Sequence, residues 1–300
     1  MVKVNKSYLA EAFPDAELKT ISKLDLSKRD IHKVAGLEVC TSLVRLDLSH
    51  NRLTSLEGVA PCHTLKWFSA AANQISSIAC LKGLKDLQVL NLSSNALAGS
   101  VDVSFLTSLG ALILNSNQIT GVTGLDQLPQ LNTIVLKESA IQDLGDSLLH
   151  CSQLLKLSLS HNSIRDLGAC LTACTSLAEL RLGHNKLCAL PAELSQNAAL
   201  RILDLGSNLI AKYAAIKVLK ELPLLVNLTL KGCPIAEKAD YQERLLSILP
   251  GLEILDGLAP LEVGLGTGSG WSSWDAPAAV EAGAAPLQPA DREASQAKKK

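Results

Sequence analysis

The sequence predicts an α/β solenoid: a curved, parallel concave sheet built from about ten stacked units, with a cap at each end. Three observations predict it. A short motif, L-x-L-x-x-N-x-I/L, recurs at a nearly fixed interval. Leucine supplies the apolar volume, since 47% of the 300 residues are apolar but only 3% are aromatic. The register also runs into a distinct segment at each end. One such unit cannot bury its own apolar face, so stacking is obligatory.

The register is strict. Leu46, Leu48, Asn51 and Leu53 fill the motif once, and its Asn position recurs at Asn73, Asn95, Asn117, Ser139, Asn162, Asn185 and Asn208. The interval is 22 four times in succession and then 23 three times. An earlier copy, Leu24 to Ile31, carries Arg29 at that position, one interval upstream of Asn51. A later copy, Leu228 to Ile235, carries Cys233 there, after a slightly longer interval from Asn208. Ten aligned copies therefore cover residues 24–235.

Each motif position has a physical reason. Side chains alternate along a strand, so L-x-L sends two leucines to the same side. The turn after the strand would leave backbone groups unpaired in the interior. An amide side chain both donates and accepts, so a column of Asn51, Asn73, Asn95, Asn117, Asn162, Asn185 and Asn208 is expected to form a structural ladder between turns. Ser139 and Cys233 interrupt it and are expected to loosen the turn locally without changing the architecture.

The terminal segments give four regions: 1–20 as a helical N-terminal cap, 21–235 as repeats, 236–258 as a C-terminal cap, and 259–300 as a tail. Leu9 and Phe13 lie four apart on one helical face, Pro14 ends that helix, and Asp15 caps a second turn leading to Ile21. Residues 236–249 read as one amphipathic helix with Tyr241, Leu245, Ile248 and Leu249 on one face. The tail is rich in Ala, Gly, Pro and Ser and ends in three lysines, a composition of disordered segments. Its Trp271 and Trp274 read either as anchors for a partner groove or as a chance pair.

Charge and composition narrow the function. The 28 basic and 29 acidic residues give a net charge of −1, so nothing draws the chain generally to nucleic acid or an acidic membrane. No apolar run approaches the roughly 18 residues of a membrane span, and residues 1–13 lack an uninterrupted apolar signal stretch. The expectation is a cytoplasmic protein, with the nucleus as a further location. No Ser/His/Asp set, phosphate loop or convergent pocket motif is present, so no enzyme, cofactor or metal is expected.

Two residue types admit more than one reading. Cys40, Cys62, Cys151 and Cys174 occupy the phase where Leu84, Leu106 and Leu128 stand in other copies, and so read as small buried apolar groups. Cys170 and Cys174, four apart, keep a metal or disulfide reading open, but no Cys/His pair completes a zinc pattern. His50, His161 and His184 each precede a ladder position. They read as a solvated rim or, for the adjacent His161 and His184, as a metal- or pH-sensitive pair.

The candidate site is the concave face. The residue before the paired leucines, the one between them and the two that follow are expected to point outward. Trp67, Val89, Ala111, Ile113 and Val135 then form an apolar patch. Arg45 and Asp47 flank it on one side, with Lys156, Glu179, Arg181 and Asp204 on the other. An aromatic with apolar surroundings and a charged rim is a common interface pattern; the alternative is that Val and Ile are simply good strand residues. The partner-binding set is thus Arg45, Asp47, Trp67, Val89, Ile113, Val135, Lys156, Glu179, Arg181 and Asp204.

The short, evenly spaced copies and the series Pro234, Tyr241, Arg244, Leu249, Pro250, Leu252, Leu255 and Asp256 resemble the short intracellular leucine-rich-repeat class and its C-terminal cap. That class includes the leucine-rich regulatory subunit of protein phosphatase 1, outer-arm dynein light chain 1, tubulin-folding cofactor E and the spliceosomal A-prime protein. The chain looks most like plant and algal members of it, over about residues 15–258. The resemblance implies a non-catalytic, monomeric scaffold that holds a protein on its concave face, such as a regulatory subunit bound to a phosphatase catalytic subunit. The alternatives it implies are a microtubule or axonemal dynein adaptor and a ribonucleoprotein-particle component. Mixed concave charges argue against direct nucleic-acid binding.

Overall fold

A computed structural model describes residues 2–14 and 17–259. The expected Asp15 cap and the tail beyond Ala259, with Trp271 and Trp274, lie outside the described residues. The chain opens with β1 (Val2–Val4) and α1 (Lys6–Ala12), then runs through β2 (Lys23–Asp25), β3 (Ile31–Val34), β4 (Arg45–Asp47), β5 (Trp67–Ser69), β6 (Val89–Asn91), β7 (Ala98–Asp102), β8 (Ala111–Ile113), β9 (Gln118–Thr123), β10 (Thr133–Val135), β11 (Lys156–Ser158), β12 (Glu179–Arg181), β13 (Ile202–Asp204) and β14 (Asn227–Thr229). It closes with α2 (Tyr241–Ile248) and β15 (Ile254–Leu255).

Eleven of these strands form one parallel sheet in sequence order: β2, β4, β5, β6, β8, β10, β11, β12, β13, β14 and β15. The fold is the leucine-rich-repeat solenoid that the motif predicts. Pairing is in register, so the first leucine of each motif stacks on its counterpart, from Leu24 and Leu46 through Phe68 and Leu90 to Leu228 and Leu255. None of these stacked residues is more than 3% exposed. Each fully buried leucine contributes about 1.5–3 kcal/mol, and repetition turns that into one continuous core. The eleventh strand was not apparent from the motif: Leu252 and Leu255 carry the leucine phase one step further, into the C-terminal cap.

The convex side is made of short 3-10 turns such as Glu57–Val59 and Leu125–Gln127, with β7 and β9 paired in a small parallel sheet of their own. At the N-terminus β1 pairs in parallel with β3. This strand precedes the cap helix, whose first turn is closed by Asn5 Oδ1 accepting from the Tyr8 amide at 2.8 Å. At the other end the structure corrects the single helix expected over residues 236–249. A 3-10 turn, Pro234–Glu237, comes first, and an extended Lys238 (ψ 140°) separates it from α2. That break lets both Ile235 and Tyr241 point into the core.

The asparagine column is a hydrogen-bond ladder. Asn51 Oδ1 accepts from the Ile31 amide at 2.9 Å, while its Nδ2 donates to the carbonyls of Leu26 and Leu48 at 2.9 and 2.8 Å. Asn73, Asn95, Asn117, Asn162, Asn185 and Asn208 repeat the arrangement. The residue just before each of them is left-handed, with φ between 53° and 57° from His50 to Ser207. For a non-glycine residue that conformation costs roughly 1–2 kcal/mol, which the amide bonds must offset at every turn.

The two interruptions behave differently. Cys233 does not loosen its turn: its thiol donates to the Leu205 carbonyl at 3.2 Å and accepts from the Asn208 amide at 3.3 Å. The preceding residue there is Gly232, which takes the positive φ without strain. Ser139 is too short. Its Oγ is buried without a hydrogen-bond partner among the described residues, and a void of about 20 Å³ lined by Val122, Ile134, Leu136, Ile141 and Leu148 lies in the same repeats. The repeat also lengthens by one position here. Ser139→Asn should raise the unfolding free energy by about 1–2 kcal/mol, since each completed buried bond contributes about 1 kcal/mol. A urea midpoint that stays put or falls in that variant would show that the gap is not a missing rung.

Candidate functional site

The sheet's register brings the sequence-predicted residues into rows. Arg45, Trp67, Val89, Ala111 and Thr133 are successive partners across β4, β5, β6, β8 and β10, and Lys156, Glu179 and Ile202 continue the row. A second row holds Asp47, Ser69, Asn91, Ile113 and Val135, followed by Ser158, Arg181 and Asp204. Neighbouring strands lie roughly 4.8 Å apart, so each row is nearly continuous.

Trp67 is half-buried. The Arg45 guanidinium stacks on its indole, 3.8 Å from the ring centroid. Such a cation–π contact contributes about 0.5–1 kcal/mol at an exposed site. The Trp67 Nε1 is shielded from solvent and has no acceptor among the described residues. Arg45 thus presents a cation on top of the aromatic anchor. Val89 is half-buried on the neighbouring strand, and Val135, three strands from Trp67 and in the second row, is half-buried too. Ile113 departs from the expected exposed patch: only 8% of it is accessible. It lies between Asn91 and Val135 in the row. Small residues on this face fare the same way, with Ser69 at 3% and Ser158 at 6%. Of the two residues after the second leucine, the first is buried at Ser49 and Ser160, and only the second projects.

The charged residues are braced by one another. Glu179 takes Lys156 Nζ at 3.1 Å on one oxygen and Arg181 Nε on the other, leaving this trio with one net positive charge. Asp47 Oδ1 accepts from the Ser49 amide and Asp204 Oδ1 from the Gly206 amide, both at 2.9 Å. Asp25 and Asn91 close the ends of their strands in the same manner. Each of these aspartates therefore keeps one oxygen for local turn closure and offers the other outward.

His161 and His184 stack face to face, 4.0 Å between ring centroids and 13° from parallel. Partial burial, then His184 and Lys137, lower the His161 pKa, against an opposite pull from Glu138 and Asp204. A histidine depressed in the folded state binds fewer protons than the unfolded chain does around and below pH 6.5. Stability tied to it is therefore full above that pH and lost as pH falls through the folded value. His161→Gln should flatten the stability–pH curve between about pH 7 and 5; an unchanged slope in urea titrations at both pH values would refute the coupling.

All eight cysteines are free thiols. Burial pushes Cys62, Cys170 and Cys174 up to about 12 and Cys151 up to about 11, so these thiols stay protonated and unreactive. Among the described residues no cluster of three or more metal-ligating side chains occurs, and no helix is long and apolar enough to cross a membrane.

Two features escaped the sequence reading. Asn197 sits in the phase of Cys151 and Cys174, fully buried, and its Nδ2 donates to the Leu171 and Cys174 carbonyls at 2.9 and 2.8 Å. An amide at an apolar phase was the available signal. The second is a row one residue earlier than those considered, in which Leu155 is 50% exposed.

The rows, ladder and stacked core define a leucine-rich-repeat solenoid fold. The Leucine rich repeat family profile matches residues 41–97 and 129–187. A leucine-rich-repeat protein of Leptospira interrogans is similar at 25% identity, over 79% of this chain and 72% of that one, with a TM-score of 0.55. TLR13, solved in complex with ssRNA13, is similar at 22% identity over 85% of this chain and 37% of that one, with a TM-score of 0.69. The ectodomain of the Arabidopsis thaliana receptor kinase GASSHO1/SCHENGEN3, solved with CASPARIAN STRIP INTEGRITY FACTOR 2, shares 23% identity over 68% of this chain and 27% of that one, with a TM-score of 0.56. No curated protein matches the sequence significantly. Proteins of this fold generally serve protein–protein interaction, as non-catalytic binding scaffolds.

Proposed function

We propose that this protein is a non-catalytic scaffold that holds a protein partner on its concave face, as a regulatory subunit of a protein phosphatase. The observation that carries the scaffold reading is the Arg45–Trp67 stack beside Val89, an aromatic anchor under a cation in a continuous row. Trp and Arg are among the residues most enriched where interface energy concentrates. Arg45, Asp47, Trp67, Val89 and Val135 form the first contact region. Lys156, Glu179, Arg181 and Asp204 supply a mixed-charge rim, and Ile113 acts from beneath the surface. The phosphatase assignment draws on the short, evenly spaced copies and the Tyr241–Asp256 cap; a microtubule or dynein adaptor draws on the same resemblance. Eight unpaired thiols support a reducing compartment, cytoplasmic or nuclear.

Affinity purification with wild type, Arg45→Glu and Trp67→Ala tests this. The expected result is a phosphatase catalytic subunit retained by wild type and reduced at least about tenfold by each variant, the equivalent of about 1.4 kcal/mol. Recovery of tubulin or dynein chains in its place would replace the phosphatase reading with the adaptor. If both folded variants retain every partner, the Trp67 region is not the interface.

A further inference from the structure

An exposed apolar surface lies at the other end of the concave face, over β11 to β15. Here the row one residue before the strands and the row at their first position both contribute apolar side chains, with Arg201 and the exposed Glu253 as the charged members of the former. Leu155, Ala178, Ile202, Val226 and Ile254 line an open trough of about 400 Å³, and Arg201 projects among them. Leu155 is 50% and Ile254 36% exposed, two of the few large apolar side chains left in solvent. Contiguous exposed apolar surface on a protein otherwise so well buried calls for an occupant.

The charges say what kind. Lys156 and Glu179 on the trough's border are already paired with each other. The Arg201 guanidinium makes no ion pair or side-chain hydrogen bond among the described residues, although its carbonyl accepts from Val226 and Asn227. The trough therefore offers apolar contacts plus one unsatisfied cation. We propose that it binds an extended protein segment carrying apolar side chains and a carboxylate that pairs with Arg201. A carboxylate matches the guanidinium fork in two parallel hydrogen bonds.

Its dimensions fit a peptide. Five strands span four gaps of about 4.8 Å, roughly 19 Å, which about six extended residues cover at ~3.3 Å each. A small molecule would be left largely in water, since ligand pockets enclose most of their guest. Single-stranded nucleic acid would need aromatic stacking platforms, and none lines the trough. The strands β11 to β14 are paired on both sides, so recognition here uses side chains and not strand addition.

This surface is separate from the Trp67 region and its test is independent of it. Random peptides of about ten residues, displayed on phage, are selected on the full-length chain, and the enriched sequences are synthesised and titrated against variants. The expected sequences share two or more aliphatic or aromatic residues and an Asp or Glu. Leu155→Asp should weaken them at least about tenfold. Arg201→Glu, selected afresh, should exchange the acidic preference for Lys or Arg. Arg45→Glu should leave binding unchanged. Both Leu155 and Arg201 are exposed, and circular dichroism checks that each variant folds. The proposal is overturned by no enrichment, by sequences without an acid, by binding that survives Leu155→Asp, or by loss with Arg45→Glu alone. It is equally overturned if the chain self-associates and Leu155→Asp abolishes that, which would make the trough a face between two copies.

Discussion

Replacing Asn185 with alanine is expected to lower the unfolding free energy by about 3–5 kcal/mol. Asn185 Oδ1 accepts from the Ile164 amide at 3.0 Å, and Nδ2 donates to the carbonyls of Leu159 and Leu182 at 3.0 and 2.9 Å. The side chain is 7% exposed, so water cannot replace those bonds without opening the turn. Each buried group left unpaired costs about 1–3 kcal/mol, well above the roughly 1 kcal/mol net value of a bond that is simply made. His184, immediately before it, holds φ 57°, and the same bonds fix that turn. Urea denaturation measures the loss. Asn185→Asp separates shape from bonding, because it keeps the acceptor but loses both donors. A loss below about 1 kcal/mol for the alanine variant would mean that the ladder is not what secures the turns.

Asp256→Ala should cost about 3–4 kcal/mol and act on the C-terminal end. Asp256 Oδ1 accepts from the amides of Leu230 and Lys231 at 2.7 and 2.8 Å, and Oδ2 accepts from the Tyr241 hydroxyl at 2.8 Å. Three bonds to a charged acceptor at about 1.5–3 kcal/mol each would give at least about 4.5 kcal/mol, and the partial exposure of this group reduces that to about 3–4 kcal/mol. Together they tie α2, β14 and β15 into a lid over the last leucines. Burial, then the Asp256 charge and hydrogen bond, raise the Tyr241 pKa, so the phenol remains a donor at all ordinary pH. In a repeat protein each unit touches only its neighbours, and an end without its cover frays. Hydrogen exchange should therefore speed up first at the amides of β14 and β15, with β4 and β5 unaffected. Uniform acceleration along the chain would contradict a local cap. Tyr241→Phe, which removes one of the three bonds, should lose about a third as much.

The two experiments probe residues that the sequence makes legible for different reasons. Asn185 stands out by phase alone, because an amide recurring once per repeat among leucines has no purpose in solvent. Asp256 stands out through the Leu252, Leu255 and Asp256 series, which resembles a known cap. Other elements were hidden. The strand β1 spans only Val2–Val4, too short for any periodicity to register, and it exists because β3 offers an edge. The break at Lys238 was invisible because residues 236–249 satisfy a helical pattern throughout; packing both Ile235 and Tyr241 inward decided against continuity. Asn197 was hidden because it stands in a phase that leucine and cysteine otherwise fill, and a single amide there has no period of its own.

The candidate site shows the same division. Sequence alone determined that Arg45, Trp67 and Val89 share a row, since a fixed interval in a stacked parallel sheet leaves no freedom in register. It likewise determined the burial of the leucines and the meeting of His161 with His184. What only tertiary structure decided is how side chains on adjacent strands share limited space. Arg45 folds over Trp67, Glu179 gathers Lys156 and Arg181, Ile113 is buried, and Arg201 has no side-chain partner among the described residues in an apolar trough. Repetition along the chain sets which residues are adjacent. The lengths and charges of side chains only about 5 Å apart then decide which of them cover, pair with or expose one another, and the interval carries no information about that.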